Sequence, residues 1–382
     1  MRVVIASRIF APEPAAAAFR LAALAEALSE RGAEVTVLTT RAVGAASDGP
    51  GVRVRRWPVL RDRSGYVRGY LQYLSFDVPL FFRLLLSRRP DVVVVEPPPT
   101  TGAVVRMVCA LKRVPYVYYA ADVWSDAAES TGAPRPVVRI LRAVERQVLG
   151  AARRVLAVNA GVADRVRALS GTTGVITVGN GVDTRVFTPD GPHRTDGGFG
   201  LYAGTTSEWQ GADIFLRAMP TVLTAVPDAR LVFLGQGSAW QALKDVAAEL
   251  ALTCVEFHPV VPPAEAAQWL RSARFALVSL KPGQGYDFAF PTKIYAASAT
   301  GTPVVYAGPG PAGEVIGDAG LGRAVPYDLA SVAAAMIAVF REAPSPQRTS
   351  AIAEWARQNV SLGALAQFAA GAVEAAAGER VP

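Results

Sequence analysis

Leu277–Gly308 reads LVSLKPGQGYDFAFPTKIYAASATGTPVVYAG. Phe275–Leu280 is an apolar run that predicts a buried strand, and Lys281 follows it directly. The polar segment from Pro282 to Phe290 holds two glycines, and Pro291 suits a first helical position, where a missing N–H costs nothing. Gly301-Thr302-Pro303 then breaks the helix ahead of a β-branched strand. A strand running through a loop into a helix start aims free N–H groups and a partial positive charge at one spot, an arrangement suited to phosphate. Lys281 and Lys293 flank that spot. The same pattern also fits an ordinary crossover between parallel strands with two solvated lysines.

The rhythm repeats outward from there. Residues 2–7 predict a buried strand, about 18–31 a helix closed by Gly32, and 34–39 a second strand, which opens a parallel sheet. Strands are predicted at 52–57, 91–95, 114–119, 155–158 and 176–178. Helices are predicted through Leu111 and over 134–151 and 161–169. Residues 189–198, PDGPHRTDGG, form the clearest linker. After it the pattern restarts with strands at 200–203, 230–234 and 255–257 and helices at 211–226 and 263–272. Alanine-rich helices follow at 327–343 and 350–378. The expected fold is α/β, with two Rossmann-like domains facing across a cleft. Their expected bounds are 1–190 and 191–360, with 361–382 a helix returning to the first domain. No GxGxxG follows the first strand, so the dinucleotide fingerprint is absent.

A hydrophobic content of 51% with 19% charged residues is globular rather than disordered. The two cysteines sit far apart in apolar runs, as in a reducing cytosol. Met1-Arg2 leads straight into a strand, so no signal peptide is expected. No run reaches the roughly 20 apolar residues of a membrane-spanning helix. Residues 1–190 carry 26 Arg and Lys against 16 Asp and Glu, whereas residues 191–382 carry 13 against 16. The basic excess concentrates in 51–113, and points to an anionic surface or substrate. Within it, residues 64–90 combine Tyr66, Tyr70, Tyr73 and Phe76 with Arg68, Arg83, Arg88 and Arg89, and Arg63 immediately precedes them. They read as a core helix pair or as an interfacial surface for anionic lipid. Asp122 and Trp124 follow a parallel strand, where ligands bind, although Asp122 also fits a helix N-cap.

Together these pieces resemble the retaining glycosyltransferases of family 4, which have the GT-B fold, and most closely the branch that makes bacterial surface polysaccharides. The resemblance spans nearly the whole chain. It rests on Phe10-Ala11-Pro12-Glu13, Glu96-Pro97-Pro98-Pro99, Asp122-Val123-Trp124, Asn180-Gly181-Val182-Asp183 with Phe187 and Pro189, Gly235-Gln236-Gly237, and Pro291-Thr292-Lys293-Ile294-Tyr295 before Gly301-Thr302-Pro303. It implies transfer of a sugar from a nucleotide-diphosphate sugar to a hydroxyl of a lipid-linked or small-molecule acceptor. No metal or other cofactor is expected, since the nucleotide sugar is a substrate and the two histidines stand apart. No nucleic-acid module is visible. The expected location is cytoplasmic, peripheral at the inner face of the cytoplasmic membrane.

Carried over residue by residue, the resemblance makes Asp122, Lys281 and Lys293 the catalytic candidates. Gly204, Gly235, Gly237, Phe257, Val260, Asp287, Ala289, Phe290, Pro291 and Thr292 would bind the donor. Glu13, Arg20, Pro98, Thr100 and Trp124 would meet the acceptor. Three departures stand out. The family's Glu-x7-Glu falls on Phe288 and Ala296, the basic residue after the Gly204 turn is replaced by Trp209-Gln210-Gly211, and the His before the acid is Ala121. Two alternatives follow: a catalytically impaired auxiliary subunit of another transferase, and a nucleotide-sugar epimerase, for which no acid–base carboxylate pair is apparent.

Overall fold

The computed structural model describes residues 1–13, 15–41, 51–62, 67, 69–130, 133–284, 286–287 and 289–378. Phe288, and Arg63, Tyr66 and Arg68 of the aromatic and basic segment, lie outside the described residues. The chain divides into two compact units, one of residues 1–180 with 362–382 and one of residues 181–361.

The first unit opens with β1 (Arg2–Ala6), α1 (Ala16–Glu30), β2 (Glu34–Thr40), β3 (Val52–Trp57) and α2 (Tyr70–Leu86). It continues with β4 (Val92–Val95), α3 (Pro99–Lys112), β5 (Tyr116–Ala120), α4 (Trp124–Ser130) and α5 (Arg135–Ala151). β6 (Arg154–Ala157), α6 (Ala160–Ser170) and β7 (Val175–Thr177) complete its sheet. The order is β3-β2-β1-β4-β5-β6-β7, and neighbouring strands run parallel. β4 is VVVV and wholly buried, as a strand covered on both faces must be.

The second unit runs β8 (Gly200–Thr205), α7 (Asp213–Ala225), β9 (Leu231–Gln236), α8 (Trp240–Glu249), β10 (Val255–His258) and α9 (Pro263–Ser272). Then come β11 (Phe275–Ser279), α10 (Lys293–Ala299), β12 (Val304–Ala307), α11 (Pro311–Asp318), β13 (Gly322–Val325), α12 (Leu329–Arg341) and α13 (Pro346–Asn359). Its parallel sheet has the order β10-β9-β8-β11-β12-β13. The last helix, α14 (Leu362–Gly378), belongs to the first unit. Its Ala366, Ala369, Ala370 and Val373 are buried in that unit's core, and Arg31 on α1 donates to Glu374 at 2.9 Å.

The observed bounds differ from the expected ones at three places. The units change at residue 180 rather than 190, because Val182 forms a parallel bridge with Ser361 and Phe187 packs in the second unit. The expected helix over 350–378 is two helices, interrupted where Val360 N–H turns back to Ala356 and its carbonyl accepts from Val182 N–H. The described residues of 64–90 hold a single helix, α2, rather than a pair.

Candidate active site

In open parallel sheets, ligands settle at the carboxyl ends of the strands where the strand order reverses. The reversal lies between β8 and β11 in the second unit and between β1 and β4 in the first.

At the β8/β11 crevice the leading side chain is Lys293, on the first turn of α10. Its Nζ donates to the Thr205 carbonyl at 2.8 Å and stands 4.9 Å from the centre of the Tyr202 ring. No carboxylate pairs with it among the described residues. The side chain is half-buried, and desolvation pulls its ammonium down to about 7. Gly204, exposed with a φ of +117°, lets it approach: a Cβ there would lie 3.1 Å from Lys293 Cε. Lys281 is exposed on the other flank, and its backbone N–H donates to the Trp209 carbonyl at 2.9 Å. Both lysines therefore sit against one loop, residues 204–211.

That loop is held from several sides. Ser207 and Gln210 form a capping box around a short 3-10 turn, and Tyr202 Oη donates to Gln210 at 3.2 Å. Tyr327 Oη donates to the Gly211 carbonyl at 2.7 Å. Trp209 stacks on Tyr286 with ring centres 4.5 Å apart. The stack ties the 204–211 loop to the loop that follows Lys281. Ser238 donates to Glu208 at 2.8 Å and joins the loop after β9 to the same assembly.

Several expected donor residues take on more local roles. α10 begins at Lys293 rather than at Pro291, because Ile294 and Tyr295 N–H groups turn back to the carbonyls of Pro291 and Thr292 at 3.1 Å. The helix is two turns long, so its dipole is small. Thr292 is exposed beside it, and the Phe290 ring stacks on Tyr295 at 4.8 Å, leaving Ala289 half-buried. Asp287 accepts from Gly283 N–H at 3.1 Å within its own turn. The Phe257 ring packs between Phe233 and Trp240, so the segment after β10 presents backbone and the exposed Val260. Gly235 and Gly237 serve the sheet itself. A Cβ at either would lie 2.1 Å from the Gly204 carbonyl oxygen or 1.9 Å from that of Thr206. Their φ values of +154° and +149° add a second reason for glycine.

In the first unit, Asp122 follows β5 and reaches solvent. It does not cap α4. That role falls to Glu145 of α5, whose carboxylate accepts the N–H groups of Trp124 at 2.8 Å and Ser125 at 2.9 Å. The protein packed around Asp122, and then the negative charges of Glu145 and Glu96, raise its carboxyl to about 6. Trp124 makes an edge contact with Tyr73, with ring centres 5.9 Å apart.

The remaining acceptor candidates divide. Arg20 and Glu96 are both 95% or more buried and form an ion pair. Arg20 is thereby committed to the interior, where a carboxylate deprived of its partner is strongly destabilising. Glu13 pairs with Arg61 at 2.8 Å. Pro98 is buried at the start of α3, whereas Thr100 is exposed in its first turn.

Arg8 and Glu145 had no place in the sequence-based set. Arg8, just past β1, is buried with its guanidinium 3.9 Å from the Tyr73 ring centre and 5.8 Å from that of Trp124. Its Nε has no hydrogen-bond partner among the described residues, and burial lowers its affinity for the proton. An arginine soon after the first strand is visible in sequence, but its aromatic partners come from α2 and α4, far away in the chain.

Comparison with known proteins now decides the family. Residues 16–181 match the glycosyl transferase 4-like domain, and residues 199–342 match the glycosyl transferases group 1 domain. The chain belongs to the family 4 glycosyltransferases, of GT-B type. The second match lies within the second compact unit, and the first covers residues 16–180 of the first unit and one residue beyond it. A D-inositol 3-phosphate glycosyltransferase from a Nocardioides species is 29% identical over 250 residues, covering 57% of this chain and 52% of that protein. The chain thus matches about half the length of that relative. Among solved structures, Anabaena Alr3699/HepE in complex with UDP and glucose superposes with a TM-score of 0.71 at 16% identity, covering 98% of this chain and 99% of that one. WaaG, a glycosyltransferase involved in lipopolysaccharide biosynthesis, gives 0.71 at 15% identity, over 97% and 99%. At these identities the structures establish the shared fold.

Proposed function

We propose that this glycosyltransferase moves a sugar, with retention of configuration, from a nucleotide-diphosphate sugar to a hydroxyl of a lipid-linked or small-molecule acceptor. The observation that carries the reading is Lys293: a desolvated ammonium at the β8/β11 crevice with a single carbonyl partner and no carboxylate. A diphosphate supplies the missing anion. As the glycosidic bond breaks, negative charge grows on the leaving phosphate, and a cation fixed there lowers the barrier. Lys281 adds charge from the exposed flank. Asp122 of the first unit positions the acceptor hydroxyl, and the leaving phosphate accepts its proton.

UDP and glucose bound in the HepE structure favour a nucleotide sugar as donor, and WaaG's place in lipopolysaccharide biosynthesis favours a surface-polysaccharide acceptor held at the cytoplasmic face of a membrane. The reaction as proposed draws on no metal or cofactor. A second reading, an impaired auxiliary subunit, is favoured by the departures from the family pattern: Phe288 and Ala296 at the Glu-x7-Glu positions, and Trp209-Gln210-Gly211 in place of a basic residue.

Calorimetric titration of UDP, GDP and dTDP into the full chain separates the two. One nucleotide should bind, and Lys293→Ala should weaken it on the order of 10–100-fold, the worth of a hydrogen bond to a charged group. Lys281→Ala should weaken it less. Flat traces for all three nucleotides would sink the donor reading and leave the auxiliary one standing.

A further inference from the structure

From Leu71 to Leu86 on α2 every exposed position is apolar. Leu71, Leu74, Val78, Phe82 and Leu86 are 68%, 54%, 52%, 56% and 82% exposed, at spacings of three and four residues. They form one stripe along the helix. The opposite side is apolar too, with Phe76, Leu80 and Leu84 buried in the core of the first unit. A helix apolar on both sides is ordinarily buried all round, and a continuous exposed stripe marks an interaction surface.

The charge beside the stripe is mostly basic. Asp77, the only acid on α2, is buried and accepts from Thr101 at 2.6 Å. Arg88 and Arg89 are exposed just past the helix end, and Arg53 and Arg55 are exposed on β3, where the Arg55 carbonyl accepts from Arg83 of α2. Lys112 of α3 donates to the carbonyls of Leu84, Leu85 and Ser87, so the C-terminal ends of α2 and α3 are joined. Beyond that junction lies a groove of about 1050 Å³, lined by Arg106, Arg113, Arg153 and Arg154 with the exposed Met107 and Leu111, and by no acidic residue. Among the described residues no helix is long and apolar enough to cross a membrane. An apolar stripe bordered by arginines has the chemistry of a helix lying in the plane of an anionic bilayer.

We propose that α2 docks the first unit on an anionic lipid surface. Its five outer side chains enter the boundary between headgroups and acyl chains, while the arginines beside the helix and in the α3 groove pair with lipid phosphates. This inference names the docking element for the membrane-held acceptor of the proposed function and rests on that reading for its purpose. Its physical test does not need transfer activity.

The full chain is floated with vesicles of equal phosphatidylglycerol and phosphatidylcholine, and with phosphatidylcholine alone, at low and high salt. Binding is expected with the anionic vesicles and should weaken with salt. Leu74→Glu with Phe82→Glu should abolish it. Arg88→Gln with Arg106→Gln should reduce it about 25-fold, at ~1 kcal/mol for each surface arginine. All four positions are exposed, so the variants should keep the wild-type melting profile. Absence of flotation at low salt overturns the proposal, as does binding that survives the Leu74/Phe82 variant. A dimer in light scattering that this variant dissolves, without vesicle binding, would assign the stripe to a second copy of the chain and overturn it too. Nucleotide titration without vesicles reports separately on the donor site, so the two readings fail independently.

Discussion

Lys293 sets stability against function within one side chain. In the unfolded chain a lysine keeps its proton to about 10, but here desolvation brings the ammonium down to about 7. Below about 7 both states hold the proton, and the folded state bears the full cost of an ill-solvated cation. Between about 7 and 10 the unfolded chain binds the extra proton, so the stability of the free protein rises with pH across that window. Lys293→Met should therefore raise the melting temperature at pH 6, on the order of 2–4 °C, and raise it less at pH 9.5. Saturating nucleotide should reverse the ranking, because it stabilises only the protein that binds it. Melting curves at both pH values, with and without nucleotide, check this. A Met variant less stable than wild type at pH 6 would make the lysine a structural cation. Nucleotide affinity should also fall as the pH rises past 7, since the diphosphate needs the ammonium.

At the scale of elements, α4 shows how a contact distant in sequence shapes a candidate site. Its first N–H groups go to Glu145 of α5, which leaves the Asp122 carboxylate unclaimed and adds a like charge beside it. Glu145→Gln should cost about 1 kcal/mol of stability through the weakened cap. It should also lower the Asp122 midpoint from about 6, though only partway, since packing is the larger cause of its rise. A carbon-detected carboxyl titration reads that midpoint directly, and an unmoved Asp122 would show that Glu145 does not sense it. None of this was legible in the sequence, where Asp122 before Val123-Trp124 fits a cap equally well. The βα alternation and the position of Lys293 were legible, because strand runs and loop residues are local signals. Gly235 and Gly237 read as ligand-facing, and the backbone they accommodate belongs to Gly204 near the end of β8 and Thr206 just past it. α2 defeats periodicity in another way: with apolar residues on both sides, the pattern does not tell which side the core will take. The break between α13 and α14 was hidden because Val360 and Ser361 are neither glycine nor proline, and the nearest glycine, Gly363, falls inside α14.

The path of the whole chain decides which parts can stand alone. The second unit is one uninterrupted stretch whose ends are joined: Val182 N–H donates to the Val360 carbonyl at 2.9 Å, and the Thr184 and Ser361 hydroxyls lie 3.2 Å apart. The first unit is discontinuous, because α14 is synthesised last and supplies Ala366, Ala369, Ala370, Val373 and Ala376 to a core begun by β1. Residues 181–361 expressed alone should melt cooperatively. If the phosphate-binding groups all lie on that unit, the fragment should bind the selected nucleotide within about tenfold of the full chain, a difference of ~1.4 kcal/mol. Residues 1–180 alone should not fold, since the alanine face of α14 would be missing from α1. Joining 362–382 to residue 180 through a short glycine–serine linker should restore folding, because Gly179 already lies against Leu365. Thermal melts and nucleotide titrations of the three fragments test the division. If 181–361 folds but fails to bind the nucleotide that the full chain binds, the donor site draws on the first unit as well, and Lys293 is then only part of it.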